Sequence, residues 1–279
     1  MKPNMGKMDR MVRLILGAIG LLTVVFGNLS GTWSTIVLIK YYLQIADSAL
    51  IYSYRLRELS LFNTPFLNSL SQSDLTDHLL SIANITYKEV NGIQKKEEGH
   101  AFDIIRKKPE EYFNAILFEL ENKDEVFVIV RQFFVDTFHS FYYQELVKSK
   151  DAFLSKLATE KVDLFKNQVE KSRLWFRELK FSDEDKYKRT QKSINVLWEY
   201  SADFFQASTV DLVMLSREAG VDLHKVQMNW KIDIEKAVAE EGFKLPAQEG
   251  TFIGGKEGRH SRSFHSFLKR LKSEKLPFS

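Results

Sequence analysis

Along most of this chain apolar residues return every third or fourth position, the spacing of one helix face, and strand-like alternation is nearly absent. From about Ser34 to Ser60 that face runs through Ile45, Ala49, Tyr52 and Leu56. Asn63, Pro65 and the Ser/Asn-rich stretch around them break the pattern. Ser73 before the acids Asp74 and Asp77 predicts a new helix start, running to about Lys95. "KKEEGHAF" reads as a charged loop. Pro109 with Glu110 and Glu111 then predicts a first helical turn leading into "YFNAILFEL". Long helices follow from Asp124 to Lys148, from about Asp151 to Leu179 and over about 183–206, with shorter ones at about 209–218 and 222–241. A glycine-rich loop, "QEGTFIGGKEGRHS", precedes a basic terminal helix, "FHSFLKRLKSEKL". Long amphipathic helices joined by short loops make an all-α bundle.

The N-terminus follows a different pattern. Lys2, Lys7, Arg10 and Arg13 flank an apolar run from Leu14 to Gly27, then a polar break and a second run from Thr35 to Ile39. The first run is shorter than the roughly 20 residues that span a bilayer. A full span over 14–39 with its basic end inside would export the body, which the reading below disfavours. The division is therefore residues 1–39 as an apolar extension forming a short helix, and 40–279 as the bundle. The extension is read either as a membrane-associated helix or as a plain appendage.

Composition narrows the class. The chain has 279 residues, with 40 basic against 37 acidic ones, too even a balance to argue for nucleic acid. It has no cysteine, which removes disulfides, thiolate metal sites and cysteine nucleophiles. Twenty-two Phe and 10 Tyr against 5 Pro favour an aromatic helical core.

The candidate chemistry lies in "RQFFVDTFHSFYYQ", where Asp136 and His139 share one helix face. A di-iron bundle uses Glu from two helices and an acid-x-x-His pair from each of two others. Three pairs have that spacing: Glu97/His100, Asp136/His139 and Glu257/His260. The first and last fall in loops, so only Asp136/His139 qualifies. The following helix contains no histidine, and one half-site cannot hold two irons. The alternative is that Asp136 and His139 hydrogen-bond each other, or a neighbouring helix, as a buried polar pair. "GGKEG" lacks the spacing of a phosphate-binding loop, and no Gly-x-Ser-x-Gly elbow occurs.

From about Tyr41 onward the chain resembles the C subunits of the ring 1,2-phenylacetyl-CoA epoxidases, bacterial multicomponent monooxygenases. The carrying stretches are "LQIADSALIYSYRLREL" (43–59), "LLSIANITYKEV" (79–90), "AFDIIRKKPEEYFNAILFELENKDEVFVIVRQFFVDTFH" (101–139), "KSINVLWEYSADFF" (192–205) and "GGKEGRH" (254–260). Residues 1–39, opening with "NMGKMDR", have no counterpart there. They resemble instead a small membrane-protein family of unknown function.

The resemblance implies a ferritin-like fold and a structural subunit with no catalytic or metal residues of its own, Asp136 and His139 being relics. Positions that keep an acid and a His in relatives are Leu164 and Gln168 here. The iron pair belongs to a homologous catalytic partner, electrons come from NADPH through a reductase subunit, and small accessory subunits complete the complex. The implied setting is phenylacetate catabolism in the cytoplasm, with membrane contact through residues 1–39. Gly254, Gly255, Lys256, Gly258 and His260 form a loop that either turns tightly against the bundle or grips a partner, and Lys256 and Arg259 could alternatively approach CoA phosphates. Arg131 and Gln132 are candidate interface anchors. Two readings from other classes stay open: a stand-alone metal- or ligand-binding bundle using Asp136 and His139, and a membrane-associated scaffold.

Overall fold

The computed structural model describes residues 31–62, 64–94, 108–181, 183–248 and 250–273. The apolar run Leu14–Gly27 and the Glu97/His100 pair lie outside them. Among the described residues the regular structure is helical: α1 (Gly31–Arg57), α2 (Pro65–Ser71), α3 (Asp74–Gln94), α4 (Ile116–Glu119), α5 (Glu125–Leu146), α6 (Ala152–Glu178), α7 (Glu184–Phe205), α8 (Thr209–Ser216), α9 (Leu223–Glu240) and α10 (Arg262–Ser273), with short 3-10 turns between.

The helix starts are written locally. Asp124, Asp151, Asp183, Ser208 and Asp222 each accept, through the side chain, a backbone N–H of the first turn that follows. Such caps satisfy donors that an α-helix leaves free, at about 1 kcal/mol each.

The stretch "YFNAILFEL" does not form the expected longer helix. Pro109–Glu111 is a single 3-10 turn, the chain is extended to Ala115, and only Ile116–Glu119 is helical. Its backbone donors find side chains instead. Phe113 N–H donates to Asp47 Oδ2 at 2.9 Å and Ile116 N–H to Asp203 Oδ2 at 2.9 Å. With Tyr112 and residues 115–118 all buried, this strand-like passage threads through the core. A helix there would turn half of those apolar groups toward solvent.

The ferritin-like bundle is two antiparallel pairs, α1 with α3 and α5 with α6; α7 and α9 cover the outer side of α5, and α8 lies on α1. Aromatic contacts fill the interior. Phe138 stacks on Phe204 at 4.2 Å, Phe133 on Phe176 at 5.0 Å, and Trp230 meets Phe134 edge-on while donating its Nε1–H to the Phe134 carbonyl at 2.9 Å. The terminal helix buries Phe264, Phe267 and Leu268, and the Arg55 guanidinium lies 3.9 Å above the Phe267 ring.

Candidate functional site

The helix α5 is buried nearly all round over its first four turns, which is why its polar residues must find partners inside the protein. Asp136 and His139 both face the core, yet they do not hydrogen-bond each other. Asp136 Oδ1 accepts from Gln132 Nε2 at 2.7 Å, one turn back, and Gln132 Oε1 accepts from Tyr52 Oη at 2.7 Å. Asp136 Oδ2 and His139 Nδ1 make no hydrogen bond. Burial pushes the Asp136 carboxyl up to about 7, with Gln132 and then Ser172 pulling it back down. Burial alone pushes His139 down to about 3. Its ring stacks on Phe118 at 5.3 Å and meets Phe165 at 4.7 Å. Burial thus favours the neutral form of both groups.

A cavity of about 50 Å³ reaches the His139 ring from between α1 and α8, lined among others by Gln44, Phe118, Tyr142, Asp211 and Lys256.

Among the described residues, the donors around Asp136 and His139 do not make up a di-iron ligand set. The buried polar positions of α6 are Gln168 and Ser172, an amide and a hydroxyl, and Leu164 lines a surface cleft beside Gln168 and Trp175. One carboxylate and one imidazole on α5 fall short of the four acids and two histidines such a centre uses.

Arg131, next to Gln132 on α5, is fully buried and serves this chain itself. Its Nη1 donates to the Leu120 carbonyl at 2.7 Å and its Nη2 to Asn122 Oδ1, while Asn122 Nδ2 donates to the Arg55 carbonyl at 2.8 Å. Burial lowers Arg131 to about 10, so it stays charged at neutral pH. Through these bonds Arg131 ties the α4–α5 connection to α1.

The glycine loop docks on the same region. Gly254 and Gly258 have φ of +97° and +79°, and a Cβ on Gly255 would sit 2.2 Å from the Asn114 carbonyl. Asp203 Oδ1 accepts the backbone N–H of Ile253 at 3.2 Å and of Gly254 at 2.8 Å. Lys256 Nζ donates to the Gln206 carbonyl at 3.3 Å and lies 3.7 Å from Asp211 Oδ2. His260 turns inward. Its Nδ1 lies 2.6 Å from Glu119 Oε2 and its Nε2 lies 3.1 Å from the Tyr112 carbonyl. Both neighbours are acceptors, since Glu119 also takes Asn114 Nδ2 at 3.1 Å and Ser261 N–H at 2.6 Å. Both ring nitrogens thus lie against buried oxygen atoms of the threaded segment and α4.

Spacing along the chain pairs His260 with Glu257, three residues away; its true partner is 141 residues earlier. Asp47, Glu119 and Asp203, buried acids on which the threaded segment hangs, carry no such spacing and escape that reading too. Acids inside otherwise apolar runs, as in "ILFEL" and "SADFF", are the signal that could find them.

An all-α bundle in which Asp136 and His139 face inward from α5, with an amide and a hydroxyl buried on α6, defines a ferritin-like chain. The chain belongs to the phenylacetic acid catabolic protein family, whose sequence model matches residues 32–276. A curated relative, the C subunit of the 1,2-phenylacetyl-CoA epoxidase of Escherichia coli (strain K12), is 23% identical over 236 residues, covering 84% of this chain and 94% of the relative. Residues 1–40 match a second family model, the inner membrane protein YgaP-like transmembrane domain. The two matches overlap over residues 32–40, inside α1. Among the described residues no helix is long and apolar enough to cross a membrane.

Proposed function

We propose that this chain, which works in phenylacetate catabolism, is the non-catalytic structural subunit of a di-iron monooxygenase that epoxidises the ring of phenylacetyl-CoA. The observation that carries the reading is the donor set around Asp136 and His139, which meets Gln168 and Ser172 on α6 instead of a second acid–His pair. The similarity to an epoxidase component along 94% of that relative supports it. In this reading a homologous catalytic subunit holds the irons, a reductase delivers electrons from NADPH, and small accessory subunits complete the complex. This chain covers and orients the catalytic homologue through apolar surface. The loop holding Gly254, Gly255, Lys256, Gly258 and His260 presents its outer edge to the partner while its inner edge is held by Asp203 and Glu119.

The test is metal analysis of the purified chain, alone and co-expressed with a catalytic homologue. No iron alone and about two irons per heterodimer is the expected result. Stoichiometric iron or manganese in the lone chain would replace this reading by a stand-alone metal-binding bundle, which the unpartnered Asp136 Oδ2 and His139 Nδ1 favour.

The match of residues 1–40 to a transmembrane-domain family supports membrane contact through the N-terminal extension, with the bundle on the cytoplasmic side.

A further inference from the structure

The helix α1 carries its first turns into the bundle without a break, so the N-terminal extension and the core share one rigid element from Gly31 to Arg57. The transmembrane-domain match reaches residue 40, through the first ten residues of this helix. On those turns Trp33 is 60% exposed and Ile36 is 42% exposed, one helical turn apart.

A second helix presents apolar groups at the same end. Gln44 Nε2 donates to Ser208 Oγ at 3.0 Å and Arg217 Nη1 donates to Ser34 Oγ at 2.6 Å. The helix α8 therefore runs antiparallel to the start of α1, with Ser208 level with Gln44 and Arg217 level with Ser34. By that register Leu215 lies near the height of Ile36, and Leu212 lies about a turn deeper, near Lys40. Leu212 and Leu215 are 43% and 37% exposed and share a face of α8 at i, i+3 spacing, whereas Val213 and Met214 are buried. Large apolar residues exposed together mark an interaction surface. Lys40 and Arg217 flank them, as cations do where a protein meets anionic headgroups.

We infer that this end of the bundle, formed by Trp33 and Ile36 of α1 and by Leu212 and Leu215 of α8, seats directly on a lipid bilayer. The inference rests on the membrane contact proposed above for residues 1–39 and adds a second contact made by the catabolic bundle itself. A bilayer is the occupant because the transmembrane-domain match runs through Trp33 and Ile36 to residue 40, inside the helix that continues into the bundle. Trp is the side chain most at home at the membrane–water interface. The far end of α1, about 40 Å away, then faces away from the lipid.

The chain has no cysteine, so single sites can be labelled in the full-length protein. Trp33→Cys, Ile36→Cys, Leu212→Cys, Leu215→Cys and, as the distant control, Leu61→Cys, which replaces a side chain 81% exposed, would each carry an environment-sensitive fluorophore. Vesicles of phosphatidylethanolamine and phosphatidylglycerol are the probe, and circular dichroism confirms that each variant is folded. The expected result is a blue shift on adding vesicles at all four patch sites and none at position 61. A shift at 33 and 36 without one at 212 and 215 overturns the inference and leaves membrane contact of the extension standing. No shift anywhere overturns both. Blue-shifted emission at the patch before vesicles are added, unchanged afterwards, would mean that residues 1–30 cover it, and also overturns the inference.

Discussion

His260 Nδ1 lies 2.6 Å from Glu119 Oε2, with both side chains closed off from solvent, and this pair pins the C-terminal segment to the short helix α4. Removing one partner of a buried hydrogen-bonded pair costs about 1–3 kcal/mol, because the other polar group is left unsatisfied. Glu119→Gln and His260→Ala are each expected to loosen residues 250–273 ahead of the bundle. Hydrogen exchange across that segment checks it, and the double variant should cost less than the two single effects added together.

The buried Asp136 and His139 predict a pH signature that only a variant reveals. The folded chain holds a proton on Asp136 up to about 7 against the ordinary 3.8, so this group lowers stability as pH rises between those values. His139, lowered from 6.5 to about 3, works in the opposite sense, and its contribution is lost as pH falls through that window. The slopes oppose each other in the native chain. Asp136→Asn removes the first, so its stability relative to the native chain should rise from about pH 4.5 to about pH 7.5 by a few kcal/mol. Urea melts at the two pH values measure it; a difference independent of pH would mean that Asp136 titrates normally.

Gly255→Ala should cost several times more than an ordinary loop substitution, because the new Cβ would meet the Asn114 carbonyl at 2.2 Å and Asp203 Oδ2 at 2.9 Å. Gly92→Ala is its counterpart. Gly92 lies inside α3 with nothing within 4 Å of an added Cβ, and Ala there should stabilise the helix by about 0.5–1 kcal/mol. Thermal melts of the two variants should shift in opposite directions.

Arg131→Lys keeps the charge and loses the fork that spans the Leu120 carbonyl and Asn122. The expected cost is about 2–3 kcal/mol, since a buried acceptor is left unpaired. Arg131→Lys behaving like the native chain in chemical denaturation would show that charge alone suffices there.

The helices were largely legible in the sequence, and the site was legible only in part. Asp124, Asp151, Asp183, Ser208 and Asp222 mark helix starts that the structure places within a residue or two of those expected. The pairing of α5 with α6 puts Asp136 and His139 inside, as their spacing implied, but their hydrogen bonds went elsewhere. The stretch "YFNAILFEL" looked helical by composition and is mostly extended, because Asp47 and Asp203, 66 and 87 residues away, take its backbone donors.

Spacing and capping act within about four residues, and so the sequence by itself determined that this chain is all-α, where its helices begin and which residues form an inward acid–His pair. The partners of Glu119, Asp203, Arg131 and His260 became visible only in the tertiary structure. A buried polar atom takes whichever donor or acceptor packing brings within about 3 Å, and separation along the chain carries almost no information about that.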